Sequence, residues 1–215
     1  MMHAVQEHIM HQNNPHHFSR FQHPVKDVTM VKLQPGGIYC TEQAEIICTG
    51  LGSCVSACVW DDEIALGDMN HFLLPFENIN QQLHWHPDQA ATVPSRYGAH
   101  AMEMLINYLI AKGASRQRLK VKLFGGAEMM GRYSKIGEKN VEFILDYVER
   151  ESLNVVSQDL GGLDPRKIMF DPTSGRAWLK RIPFSEVHLI KQQELHYASE
   201  LERQAQLPTD NVELF

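Results

Sequence analysis

The chain has 215 residues, 43% hydrophobic and 21% charged, with a formal net charge of −6 at pH 7; this fits a folded domain with extensions and excludes the basic footprint of a nucleic-acid-binding protein. No apolar run reaches the length of a membrane span, and histidines stand where a signal peptide would need its hydrophobic region, so a cytoplasmic protein without membrane insertion is expected. The four cysteines, Cys40, Cys48, Cys54 and Cys58, form neither a secreted disulfide framework nor a recognised zinc spacing, so no metal and no cofactor are expected.

Residues 1–27 read as a polar, flexible arm. Six of the twelve histidines lie there (His3, His8, His11, His16, His17 and His23), and nothing in the sequence positions them as metal ligands. The core is expected to begin near Val28. Val28–Leu33 reads as a strand, Pro35-Gly-Gly37 as a turn, and Glu45–Cys48 as a second strand. Val55–Trp60 suits either a strand or one helical turn. Ile64–Leu74 is the next expected strand, ended by Pro75, and the polar stretch Phe76–Ser95 reads as a loop. Arg96–Lys112 is a predicted helix, apolar over most of its circumference, with Gly113 at its C-terminal end.

Leu119–Phe124 alternates Leu119, Val121 and Leu123 with Lys120 and Lys122, the pattern of a half-buried strand. A helix is predicted over Glu138–Glu151, carried by Val141, Ile144, Leu145 and Val148. Strands follow at Leu153–Ser157, Lys167–Phe170 and Arg176–Lys180. The chain closes with a helix from Ser185 to about Ala205, dense in Glu, Gln and Lys, and a short tail after Pro208. Strand-rich halves around two main helices, plus a C-terminal helix, predict an α+β fold with helices packed on a mixed or antiparallel sheet.

The run Thr49-Gly-Leu-Gly-Ser-Cys54 carries the strongest chemical signal, together with His71 in an apolar segment 71 − 54 = 17 residues on. A free thiol of pKa about 8.5 is only a few per cent thiolate at neutral pH, so a nucleophilic cysteine needs a neighbouring base. A histidine on the returning strand of a hairpin can supply one. The backbone N–H groups of a glycine-lined turn can hold an oxyanion, which nominates Gly52 and Ser53. A third group must orient the imidazole, with Thr49, Asn70 and Asp68 as nearby candidates. The same residues also suit a buried structural cysteine and a core histidine. His100 reads as structural on a buried helix face. Gly125-Gly-Ala127 and Asp159-Leu-Gly-Gly162 read as turns that shape the substrate groove if they lie beside the cysteine; no phosphate-binding loop is present.

Taken in order, Leu51-Gly-Ser-Cys54-Val, His71-Phe-Leu-Leu-Pro75, Arg96-Tyr-Gly98 with Ala101-Met-Glu103, Lys122-Leu-Phe-Gly-Gly-Ala127, Ile136-Gly-Glu-Lys-Asn140 and Asp159-Leu-Gly-Gly162 resemble the chemoreceptor glutamine deamidase family, CheD. The likeness runs from about Val28 to Lys180. It implies a protein-glutamine glutaminase that converts particular glutamine side chains on chemoreceptors to glutamates with release of ammonia. It also implies sandwich-like layers, Cys54 as nucleophile and His71 as general base. A threonine six residues before the cysteine belongs to the family pattern; Cys48 stands at that position here, and Thr49 follows it. Adjacent strand residues face opposite ways, so Thr49 orients His71 only if its face is the face of the site.

The chain is expected to divide into the arm (1–27), a domain that the resemblance makes a deamidase (28–183), the C-terminal helix (184–207) and a tail (208–215). The implied partners are chemoreceptor cytoplasmic domains, with a response-regulator phosphatase or another chemotaxis modification enzyme as a further one. Asn211-Val-Glu-Leu-Phe215 partly resembles a receptor tethering pentapeptide, with valine replacing its tryptophan. Two other readings of the Cys-His pair remain at this point: a different thiol amidase or peptidase, and a non-catalytic module that regulates chemotaxis by binding.

Overall fold

In the computed structural model, residues 18–24, 27–74, 93–129, 135–183 and 186–205 are described. They form ten strands: β1 (Phe18–Gln22), β2 (Thr29–Leu33), β3 (Ile38–Thr41), β4 (Glu45–Leu51), β5 (Val55–Asp61), β6 (Leu66–Asn70), β7 (Lys120–Gly125), β8 (Asn154–Leu160), β9 (Arg166–Asp171) and β10 (Arg176–Arg181). Three helices accompany them: α1 (Val93–Ala111), α2 (Ile136–Arg150) and α3 (Val187–Ala205). The strands make two five-stranded sheets, ordered β1-β2-β4-β9-β10 and β3-β6-β5-β7-β8. Each sheet is mixed: β2 runs parallel to β4, and β7 parallel to β8, among otherwise antiparallel pairs. This is the expected α+β fold in layered form, with its C-terminal helix.

The alternation along β5 shows how the layers stack. Val55, Ala57 and Val59 pack with Leu105 and Leu109 of α1 and Ile144 of α2. Cys54, Cys58 and Trp60 turn the other way, into a core shared with Ile47, Leu51, Ile168 and Phe170 of the first sheet. The order is therefore sheet, sheet, then α1 and α2, while α3 contributes Tyr197 and Leu201 to the core between the sheets. A strand covered on both faces loses its polar alternation, which is why Val55–Trp60 could not be told from a helical turn by pattern alone.

Other departures from the sequence reading have similar causes. The buried face of α2 consists of Gly137, Asn140, Phe143, Ile144, Tyr147 and Val148, while Leu145 is exposed. The stripe is rotated because Phe143 packs edge-on against Phe72 and Asn140 is buried through hydrogen bonds. His100 is exposed on α1 rather than part of its buried face. Strand β1 lies within the stretch read as an arm; what holds it is the free edge of β2, the ring of Tyr39 against Phe18 and Glu45 paired with Arg20, none of which shows in its own pattern. Strand β3 was not anticipated. Helix α1 starts at Val93, inside the expected loop; the remainder of that loop, the histidines before Phe18 and the C-terminal tail lie outside the described residues.

Candidate active site

Strand β4 runs into Gly52-Ser53-Cys54 and the chain returns as β5. Strand β6 pairs antiparallel with β5, Cys58 opposite Met69 and Trp60 opposite Gly67, and Val55 bridges Phe72 beyond the end of β6. Continued by one residue, this register sets Cys54 opposite Leu73, so His71 is its diagonal neighbour on the same face. The Cys54 sulfur and an imidazole nitrogen of His71 lie within 4.8 Å of each other. Both residues are buried in the layer between the sheets.

Thr49 reaches them from the opposite sheet. On β4 it shares the inward face of Ile47 and Leu51, and its Oγ1 lies 2.7 Å from His71 Nδ1 and 2.8 Å from the carbonyl oxygen of Leu33. The hydroxyl has one hydrogen, and the carbonyl can only accept it. Nδ1–H must then donate to Oγ1, which leaves the lone pair on Nε2. Burial pushes the His71 pKa down to about 3, so the ring is neutral, and buried Nε2 has no hydrogen-bond partner among the described residues. Asn70 and Asp68 are engaged elsewhere: Asn70 Oδ1 accepts the Ala57 N–H at 2.8 Å, and Asp68 faces Cys40.

The glycine turn is an anion-binding nest. The N–H groups of Gly52 and Cys54 donate to one carboxylate oxygen of Glu194 at 2.8 and 3.1 Å. The N–H and hydroxyl of Ser53 donate to the other at 2.9 and 2.7 Å. Converging N–H dipoles of this kind favour negative charge. They are aimed from behind. The Gly52 carbonyl accepts the Ala127 N–H at 2.7 Å, and the Ser53 carbonyl accepts Asn140 Nδ2 at 2.8 Å. In a trans peptide the C=O and the following N–H point opposite ways, so these two bonds turn the Ser53 and Cys54 N–H groups into the site. Asn140 is fixed in turn by the Leu74 N–H, 2.9 Å from its Oδ1.

A second layer supports the first. Gly161 N–H donates to the Gly125 carbonyl and Glu128 N–H to the Gly162 carbonyl, both at 2.9 Å. Fully buried Arg166 binds the carboxylate and carbonyl of Asp159 at 2.6 and 2.5 Å and also the Gly161 carbonyl. The Gly125-Gly-Ala127 and Asp159-Leu-Gly-Gly162 turns thus do lie behind the cysteine.

Glu194, Asn140 and Arg166 were not nominated from sequence. Glu194 is 140 residues from Cys54, on α3, within a helix rich in acids and amides. Burial of Cys54 itself pushes its thiol well up, and the charge of Glu194 and a hydrogen bond to it push it further. Ligand atoms of Cys54, His71 and Glu194 all lie within 4.8 Å of one another, a donor set that zinc accepts. Yet both carboxylate oxygens already face hydrogen-bond donors, and a cation beside them would meet the positive ends of those dipoles. The arrangement suits an anion.

The family model for CheD chemotactic sensory transduction matches residues 74–181, downstream of both Cys54 and His71. The chain is 57% identical over 202 residues to a protein of Vibrio vulnificus (strain CMCP6) named a probable chemoreceptor glutamine deamidase CheD, covering 93% of this chain and 92% of that one. A Vibrio cholerae protein of the same name is 58% identical over 198 residues, covering 92% of this chain and 84% of that one. Another from Halorhodospira halophila is 42% identical over 199 residues, covering 93% and 90%.

Proposed function

The chain belongs to the CheD family, and from that premise we propose that it is a protein-glutamine glutaminase that deamidates glutamine side chains of chemoreceptors to glutamates, with Cys54 as nucleophile. The observation that carries the reading is the convergence of one thiol, one imidazole with a free Nε2 and three backbone N–H groups in a single buried site.

His71 Nε2 takes the Cys54 proton, while Thr49 holds the ring in the tautomer that leaves Nε2 free. The thiolate attacks the glutamine Cδ. The oxygen that becomes negative is held by N–H groups of Gly52, Ser53 and Cys54, already turned inward before substrate arrives. The imidazolium returns its proton to the departing nitrogen, and ammonia leaves a thioester. Neutral His71 then draws a proton from water, the hydroxide adds to the thioester, and the C–S bond breaks to give glutamate and the thiol. No helix among the described residues is long and apolar enough to cross a membrane. The partners on this reading are chemoreceptor cytoplasmic domains, met in the cytoplasm; a response-regulator phosphatase remains a further proposed partner.

The test is mass spectrometry of a receptor cytoplasmic fragment incubated with the enzyme. Glutamines converted to glutamates by the native chain and untouched by Cys54→Ala are the expected result. Conversion by Cys54→Ala would remove the thiol mechanism.

A further inference from the structure

Helix α3 turns five buried side chains toward the sheets: Val187, Ile190, Glu194, Tyr197 and Leu201. Their alternating spacing of three and four residues is that of a helix seam. Four are large and apolar or aromatic; the central one is a carboxylate. A buried carboxylate is costly unless its oxygens are satisfied, and here all the satisfaction comes from the catalytic turn: the N–H groups of Gly52, Ser53 and Cys54 and the Ser53 hydroxyl. A glutamate side chain is also what the proposed reaction leaves in that position.

We propose that α3 is a built-in product mimic: Glu194 occupies the oxyanion site in cis as the glutamate product would, and holds the enzyme closed until a substrate glutamine displaces it. The inference rests on the glutaminase reading above. Three further observations support it. Cys54 has 0% exposure, so no carboxamide of another protein reaches its sulfur while α3 is seated. The seat is close-fitting: a Cβ on Gly52 would stand 2.9 Å from Glu194 Oε2, and one on Gly36 2.5 Å from the ring of Tyr197. The negative charge of Glu194 also disfavours the thiolate, so the closed form is chemically quiet as well as covered.

A glutamine at position 194 would turn the mimic into a substrate. Its carbonyl oxygen can keep the Gly52 and Cys54 N–H groups; its amide nitrogen replaces the oxygen that accepts from Ser53, so the Ser53 hydroxyl turns to accept from it and the Ser53 N–H gives up its partner. The Cys54 sulfur bonds to Cδ, the thiol proton passes through His71 to the amide nitrogen, and the C–N bond breaks to release ammonia. Water then cleaves the C–S bond, restoring the thiol and leaving glutamate at 194.

The experiment uses full-length Glu194→Gln mixed with a receptor cytoplasmic fragment, with mass spectrometry at residue 194 and at the receptor glutamines in the same sample. The expected result is glutamate at 194, and glutamine retained at 194 in the Glu194→Gln/Cys54→Ala double variant. Conversion of receptor glutamines with residue 194 still glutamine overturns the inference and leaves the glutaminase reading standing. Conversion of neither, in protein whose folding is verified, overturns both. Conversion of residue 194 alone supports the mimic and counts against the receptor as substrate. Should Glu194→Gln fail to fold, Glu194→Ala decides through alkylation of Cys54 by iodoacetamide: a rise of at least about tenfold over the native chain supports the closed state, and an unchanged rate overturns it.

Discussion

Cys54 and Cys58 are two buried thiols on the same inward side of one stretch of chain, and the difference between their surroundings separates a candidate nucleophile from a core residue. Burial raises both thiols above their ordinary range. Beyond burial, Cys58 meets Asp68, whose carboxyl is itself pushed up by burial, with Oδ2 3.5 Å from the Cys40 sulfur and Oδ1 without a hydrogen-bond partner among the described residues. Lys122 and a hydrogen bond with Ser56 pull the Cys58 thiol back down, but burial and the Asp68 charge outweigh them, and no imidazole among the described residues is grouped with it as His71 is with Cys54. Cys54 stands beside an imidazole with an unused nitrogen lone pair and at the end of three N–H groups that bind negative charge. In sequence both sit among small and apolar neighbours, Ser53 and Val55 for one, Ala57 and Val59 for the other; the neighbouring dipoles and the base make the distinction.

Removing the base has the largest expected effect. His71→Ala is expected to lower kcat on a receptor fragment by on the order of 10² to 10⁴-fold, measured as ammonia release; a loss below threefold would reduce His71 to a core histidine. The same variant has a pH signature. The His71 pKa lies at about 3 in the folded chain against 6.5 for an ordinary histidine, so between those values the unfolded chain binds a proton that the folded chain does not. The contribution is fully present above pH 6.5 and is lost as pH falls toward 3, with a slope of at most about 1.4 kcal/mol per pH unit. The native chain should therefore lose thermal stability more steeply than His71→Ala when both are acidified through that window.

Thr49 holds the base through Nδ1, and its loss is expected to have a smaller effect than loss of the base itself. Thr49→Val deletes the acceptor of Nδ1–H, frees the tautomer, and is expected to lower kcat by about 10 to 100-fold, with KM changed far less and Thr49→Ser restoring most of the rate. A KM effect of equal size would mean that Thr49 serves packing rather than the ring.

The Cys54–His71–Thr49 group was legible because its parts are close along the chain or one hairpin apart. Glycines on either side of Leu51 signal a turn, and a histidine at hairpin distance falls on the cysteine's face once β5 and β6 pair. The layered fold was legible in its elements, from the Leu119–Leu123 alternation to the long apolar α1. Asn140 and Glu194 were not. Their chemistry depends on which helix face meets the turn, and that is decided by tertiary packing. A weak signal for Glu194 did exist: in Val187, Ile190, Tyr197 and Leu201 an apolar seam runs through the helix, and Glu194 falls on it. An acid at the centre of an apolar seam asks for donors from elsewhere. Against the many other Glu, Gln and Lys residues of α3, that request is hard to hear without the fold.

The smallest expected effect falls on the other thiol. Cys58→Ala removes a buried sulfur that neither donates to nor shapes the turn, and the lost packing is expected to cost about 1 kcal/mol of stability by thermal or urea unfolding. Ammonia release should stay within about twofold of the native chain, since ordinary distant substitutions act independently of the site. The outcome bears on Cys54 as much as on Cys58. Both thiols are equally hidden from water, Cys58 on β5 and Cys54 in the turn just before it, so a large loss of rate in Cys58→Ala would mean that the β5 core transmits to the turn. The hydrogen bonds from Asn140 and Ala127 would then be insufficient to fix the oxyanion donors by themselves.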